Sequence, residues 1–143
     1  MPYHYVGEEE NVLTTQGKDI VVLSKRKGFI RLALSYGADL VPIFCAGTTD
    51  TFVTYPEKFG FRHWLQKKFK ISIEIYRGQW FTPLPFRNTP QRILIGRPIP
   101  TPKPDVIGNK PDDSLVDEYH AKYVAALKEL HDNHVKDRPL III

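Results

Sequence analysis

The chain has 143 residues, room for about one domain, and its apolar share of 42% and charged share of 25% exclude wholesale disorder. A single cysteine, Cys45, excludes an internal disulfide framework, and no Cys/His set has zinc-ligand spacing, so no structural metal is expected. Twenty Lys and Arg against 16 Asp and Glu leave a net charge of +4, which favours anionic partners: phosphates, nucleic acid or acidic lipid.

The first 11 residues carry the acidic run Glu8, Glu9, Glu10 and read as irregular. They have neither the basic start nor the apolar stretch of a signal peptide. Residues 19–23, DIVVL, form a valine-rich run that reads as an interior strand. Ser24 is the expected cap of the helix that follows. In that helix Phe29, Leu32, Ala33 and Tyr36 fall on one stripe, and Gly37 is the expected left-handed stop. Residues 40–44 read as a second buried strand, completing a βαβ unit over 19–45. The apolar run 40–46 holds Pro42 and falls far short of the roughly 20 residues that span a bilayer. Any membrane contact by this chain is therefore expected to be peripheral.

Beyond a polar loop, residues 59–69 read as a short basic amphipathic helix with Phe61, Trp64, Leu65 and Phe69 on one side. Residues 71–76, ISIEIY, alternate as a half-buried strand, and 92–95 read as another, stopped by Gly96. The proline-dense 98–104 should run extended over the surface. A long helix is expected over about 115–134, capped by Ser114, with Val116, Tyr119, Tyr123, Leu127 and Leu130 inward. The apolar end, 141–143, has no assigned role. The whole reads as one α/β domain, a largely parallel sheet flanked by helices, with no internal repeat.

Two basic clusters stand out: Lys25, Arg26, Lys27 and Arg31, then Lys58, Arg62, Lys67, Lys68 and Lys70. The first lies at a helix start, where the backbone dipole already places about half a positive charge. Lys27 and Arg31 add a like-charged i, i+4 pair. A bound phosphate would turn this repulsion into attraction and occupy free backbone N–H groups. A solvated basic face, with long side chains covering apolar surface, is the competing explanation. Localised clusters between acidic ends suggest an anion site more than a nucleic-acid coat.

The segment 26–47, RKGFIRLALSYGADLVPIFCAG, resembles a signature block of the type-2 diacylglycerol acyltransferases and their monoacylglycerol and wax-ester relatives. The shared pattern is Arg-x-Gly-Phe, a Lys/Arg, small apolar residues, Gly, Val-Pro and then a Phe-Gly pair. WLQKKF at 64–69, PQRILIGRPIPTPK at 90–103, VDEYHAKYVAAL at 116–127 and the helix end at 131–134 are similar to the same family, in register. The resemblance implies a glycerolipid-acyltransferase-like fold and transfer of a fatty acyl group from acyl-CoA, a co-substrate rather than a cofactor, to a glycerolipid or alcohol hydroxyl. It further implies neutral-lipid (triacylglycerol) synthesis at the cytosolic face of the endoplasmic reticulum membrane. On this reading Arg26, Lys27, Gly28 and Arg31 bind substrate, with the CoA phosphates against the helix start.

The family's His-Pro-His-Gly box does not occur in this sequence. The chain is thus expected to be the C-terminal half of one catalytic domain and, taken alone, to lack its general base. The family's supporting glutamate falls at Asn11, or at Glu10 if the register slips by one, and its Phe-Gly-Glu becomes Ala46, Gly47, Thr48. His4 and Glu9 have the spacing of a broader acyltransferase box but sit out of register. His63 is expected to pack, His120, His131 and His134 to face solvent, and Cys45 to be a small core residue. The alternative to an acyltransferase is a non-catalytic remnant that binds acyl-CoA or an acidic membrane and associates with a full-length relative. A nucleic-acid-binding reading of 64–70 ranks last, since no recognised motif supports it.

Overall fold

The computed structural model describes residues 17–54, 76–82 and 84–143. The expected helix at 59–69, nearly all of the strand at 71–76, and His4, Glu9, Glu10, Asn11, His63 and Trp64 lie outside the described residues. In chain order the elements are β1 (Asp19–Val21), α1 (Gly28–Tyr36), β2 (Ile43–Ala46), a 3-10 turn (Thr48–Asp50), β3 (Val53–Thr54) and β4 (Tyr76–Arg77). A second 3-10 turn (Gln79–Phe81), β5 (Arg92–Ile95), the long α2 (Asp113–His134) and β6 (Leu140–Ile142) follow. The class is mixed α/β, but the sheets are short: β1–β6 is parallel, whereas β2–β5 and β3–β4 are antiparallel.

This corrects the largely parallel sheet and the βαβ unit. Among the described residues no ladder joins β1 to β2. The apolar end of the chain takes the place beside β1, with Asp19, Ile20 and Val21 opposite Leu140, Ile141 and Ile142. Leu23 and Ser24 then donate backbone N–H groups to the Ile143 carbonyl, both at 2.9 Å. The second strand begins later than expected and is buried on one face only, with Phe44 and Ala46 inward and Ile43 and Cys45 outward. That alternation suits an antiparallel partner, and β5 supplies it, Ile43 opposite Ile95 and Cys45 opposite Ile93. Ile43, Cys45, Ile93 and Ile95 are exposed, so Cys45 is not a core residue. The strand at 92–95 forms as expected, and in the proline-rich stretch Ile99 makes one antiparallel bridge to Leu40.

Helix α1 starts three residues later than a Ser24 cap would allow: Lys27 is its N-cap, with no side-chain cap bond. Gly37, at φ 63, supplies the expected left-handed stop, its N–H bonding the Ala33 carbonyl. The buried stripe is rotated from the expected one. Ile30, Ala33 and Leu34 face inward, while Leu32 is 62% exposed and Tyr36 is also exposed. Ile30, Ala33 and Leu34 keep i, i+3, i+4 spacing; with apolar side chains at 29, 30, 32, 33, 34 and 36, packing chose between two stripes the sequence offered.

Helix α2 starts at Asp113 with Asp112 as N-cap, displacing Ser114, whose hydroxyl instead bonds the Asp112 carboxylate. Val116, His120, Leu127 and His131 are buried along it, with Tyr119, Tyr123 and Leu130 half-buried. The core has two parts. Ile30, Ala33, Leu34, Leu40 and Val116 pack between α1 and the start of α2. Leu23, Phe44, Ala46, Leu127, Val135 and Leu140 pack between the strands and its end. Phe29 and Tyr123 touch both, ring edge to face at a centroid distance of 5.0 Å, and burial pushes the Tyr123 phenol up.

Candidate functional site

Two polar centres lie at opposite ends of α2. At its start, the cations proposed from the sequence meet carboxylates from a distant part of the chain. Lys27 Nζ donates to Asp117 Oδ1 at 2.6 Å, and Arg31 donates through NH2 to Asp113 Oδ1 at 2.9 Å. Helix α1 has no acidic residue in its first turn, so α2 provides across space the negative charge that the helix start favours. The Lys27 hydrogen bond holds the Asp117 carboxyl below its ordinary value. Arg26 is half-buried and donates its backbone N–H to the Leu23 carbonyl at 3.0 Å. Gly28 is exposed with open space where a side chain would project. Arg26, Lys27, Gly28 and Arg31 thus lie together at the mouth of α1, beside Asp113 and Asp117. Both ion pairs are solvent-exposed, where such pairs contribute little and exchange readily.

At the other end of α2 lies a centre that the spacing did not suggest. His131 is 0% exposed, and its Nε2–H reaches Asp19 Oδ2 at 3.1 Å, with Asp19 4% exposed. Its Nδ1 lies 3.2 Å from Asp132 Oδ1, and its ring meets Phe44 edge to face. The other Asp19 oxygen accepts from the Thr49 hydroxyl at 3.3 Å. Arg138 donates to Thr49 Oγ1 at 3.3 Å and pairs with Asp50 at 2.8 Å and Asp137 at 3.0 Å. These carboxylates push the Arg138 guanidinium further up, Asp50 most, and Arg138 in turn holds Asp137 down. The cluster joins β1, the turn after β2, the end of α2 and the entry to β6. An open depression lined by Val135, Lys136, Arg138 and Pro139 lies beside it.

His120 is also buried, its Nε2–H donating to the Leu23 carbonyl at 2.9 Å. Of the three helix histidines expected to face solvent, only His134 does. The correction has a simple cause. Positions 116, 120, 123, 127 and 131 keep strict i, i+3/i+4 spacing, so both histidines sit on the inward stripe and are satisfied there by Asp19 and a backbone carbonyl. That spacing was the available signal for both residues, and the acidic first residue of an apolar strand was the signal for Asp19. Among the described residues no group of His, Cys, Asp or Glu is placed to hold a metal ion, and no helix is long and apolar enough to cross a membrane.

The chain is similar to known proteins over most of its length. A family model described as "Diacylglycerol acyltransferase" covers residues 5–140. Human 2-acylglycerol O-acyltransferase 3 is 36% identical over 140 residues, 90% of this chain and 39% of the human protein. Mouse diacylglycerol O-acyltransferase 2 is 36% identical over 141 residues, 90% of this chain and 34% of the mouse protein. Mouse acyl-CoA wax alcohol acyltransferase 2 is 33% identical over 131 residues, 85% of this chain and 38% of that protein. No solved structure matches. The chain spans about two-fifths of the length of these relatives, and it belongs to the diacylglycerol acyltransferase family.

Proposed function

We propose that this chain is the C-terminal part of the catalytic domain of an acyl-CoA-dependent O-acyltransferase that makes neutral lipid at the endoplasmic reticulum membrane. The family match over residues 5–140 carries the reading. In the reaction, a general base takes the proton of a glycerolipid or alcohol hydroxyl, whose oxygen attacks the thioester carbonyl. The oxyanion collapses to the ester, and CoA leaves as a thiol after taking up a proton. The family's histidine box would supply the base from outside this sequence, with Glu10 or Asn11 at the supporting position. This chain's own share is substrate binding: Arg26, Lys27, Gly28 and Arg31 seat the CoA phosphates. The exposed pairs to Asp117 and Asp113 are weak enough for phosphate oxygens to displace the carboxylates.

The test is transfer of labelled oleate from oleoyl-CoA to diacylglycerol, monoacylglycerol or a long-chain alcohol. It uses membranes from cells that produce this chain joined to a family histidine-box segment that would supply the base. Label in one ester class supports the proposal and identifies the acceptor. Saturable binding of oleoyl-CoA with no ester formed would favour the second reading, a binding protein without chemistry. The observation behind that reading is Asn11 at the family's glutamate position, in a sequence that contains no His-Pro-His-Gly.

A further inference from the structure

The turn after β4 exposes a large apolar side chain on a backbone built to hold it out. Trp80 is 75% exposed and has φ 53, making it the non-glycine residue with positive φ among those described. Left-handed backbone costs a bulky residue free energy and persists only where its surroundings impose it. Here they do. The Gly78 N–H donates to the Thr82 carbonyl at 2.8 Å and the Gln79 N–H to the Leu84 carbonyl at 2.9 Å. The Thr82 hydroxyl closes the turn by donating to the Gln79 carbonyl at 2.7 Å. A side chain at Gly78 would collide with the Leu84 carbonyl, so the turn can tighten this far only with glycine there. Phe86 ties the far side down through its N–H to the Thr51 carbonyl at 3.1 Å. The turn presents Trp80 and Leu84, itself 58% exposed, with the Arg87 guanidinium 5.8 Å from the indole centroid.

We propose that this turn is a lipid-surface anchor: Trp80 and Leu84 enter the headgroup layer, and Arg87 meets lipid phosphates beside them. The chemistry favours lipid over a protein partner. An indole has an apolar body and one polar N–H, which suits it to the boundary between water and acyl chains. A cation beside it complements anionic headgroups, as does the net charge of +4. Strain that fixes an exposed side chain outward lowers the ordering cost of insertion. The inference deepens the acyltransferase proposal, because a water-insoluble acceptor has to be met at a lipid surface.

The test is co-sedimentation of the protein with phosphatidylcholine vesicles, with and without a minority of phosphatidylserine. Trp80→Gly is the decisive variant: glycine adopts φ 53 freely, so the fold should persist by circular dichroism while partitioning falls about tenfold on both vesicle types. Arg87→Gln should lose only the extra binding that phosphatidylserine brings. Equal partitioning of Trp80→Gly and parent would overturn the anchor. Unchanged vesicle binding with altered self-association would overturn it too, by assigning Trp80 to a protein contact. Since no acyl-CoA is present, this outcome is separate from success or failure of the transfer assay.

Discussion

The two ends of α2 handle charge in opposite ways. At its start, Asp113 and Asp117 reach two cations of α1 across open solvent, in pairs that water can replace. At its end, His131, Asp19, Thr49, Arg138 and Asp50 form a linked cluster whose central pair is sealed from solvent. Exposed ion pairs contribute little because water competes with each partner. A buried pair need not add net stability, yet losing one partner strands the other without solvent. The first end is therefore suited to exchange a carboxylate for a ligand, and the second to lock four segments together.

The largest expected effect is at the locked end. His131→Ala leaves Asp19 buried with only Thr49 and the more distant Arg138, and opens a void against Phe44. A loss of about 3–5 kcal/mol in chemical denaturation is expected. Asp19→Asn with His131→Gln, which keeps hydrogen-bonding capacity at both positions, should cost less than the two single changes added together. An additive cycle would contradict the pairing. Arg138→Met should cost on the order of 2 kcal/mol by unpairing Asp50. It should also loosen the turn at 48–50, read as faster amide exchange there.

At the exchangeable end, Asp113→Asn with Asp117→Asn should leave the unfolding midpoint close to that of the parent. A large loss there would erase the contrast between the ends. The smallest effect concerns pH. The Asp117 carboxyl is held below its ordinary value of 3.8 by Lys27, so coupling between the two is present above the ordinary carboxylate range. It is lost as pH falls through the lowered value. A Lys27–Asp117 double-mutant cycle measured at neutral and at strongly acid pH reads this directly; coupling that persists in acid would contradict the pair.

The same contrast marks what the sequence could disclose. Lys27 and Arg31 were legible because their charge opposes a helix start, a local rule. The carboxylates that answer them lie 90 and 82 positions away, and no local rule reaches that far. Both helices and the strand at 92–95 were legible from periodicity and stop signals. Strand pairing was not: 19–23 suited an interior parallel strand, but its parallel partner turned out to be the chain's own apolar end. His131 carried its signal in plain spacing, and the general preference of histidine for partly exposed positions outweighed it. Trp80 gave no signal because positive φ at a non-glycine residue is a product of the whole turn.

The central claim, that the mouth of α1 seats the CoA phosphates, is tested most directly by titrating CoA into three proteins. These are the parent, Arg26→Ala with Lys27→Ala, and Asp113→Asn with Asp117→Asn. The account predicts opposite signs: affinity falls when the cations are removed and rises when the competing carboxylates are neutralised. Equal affinity in all three would contradict it.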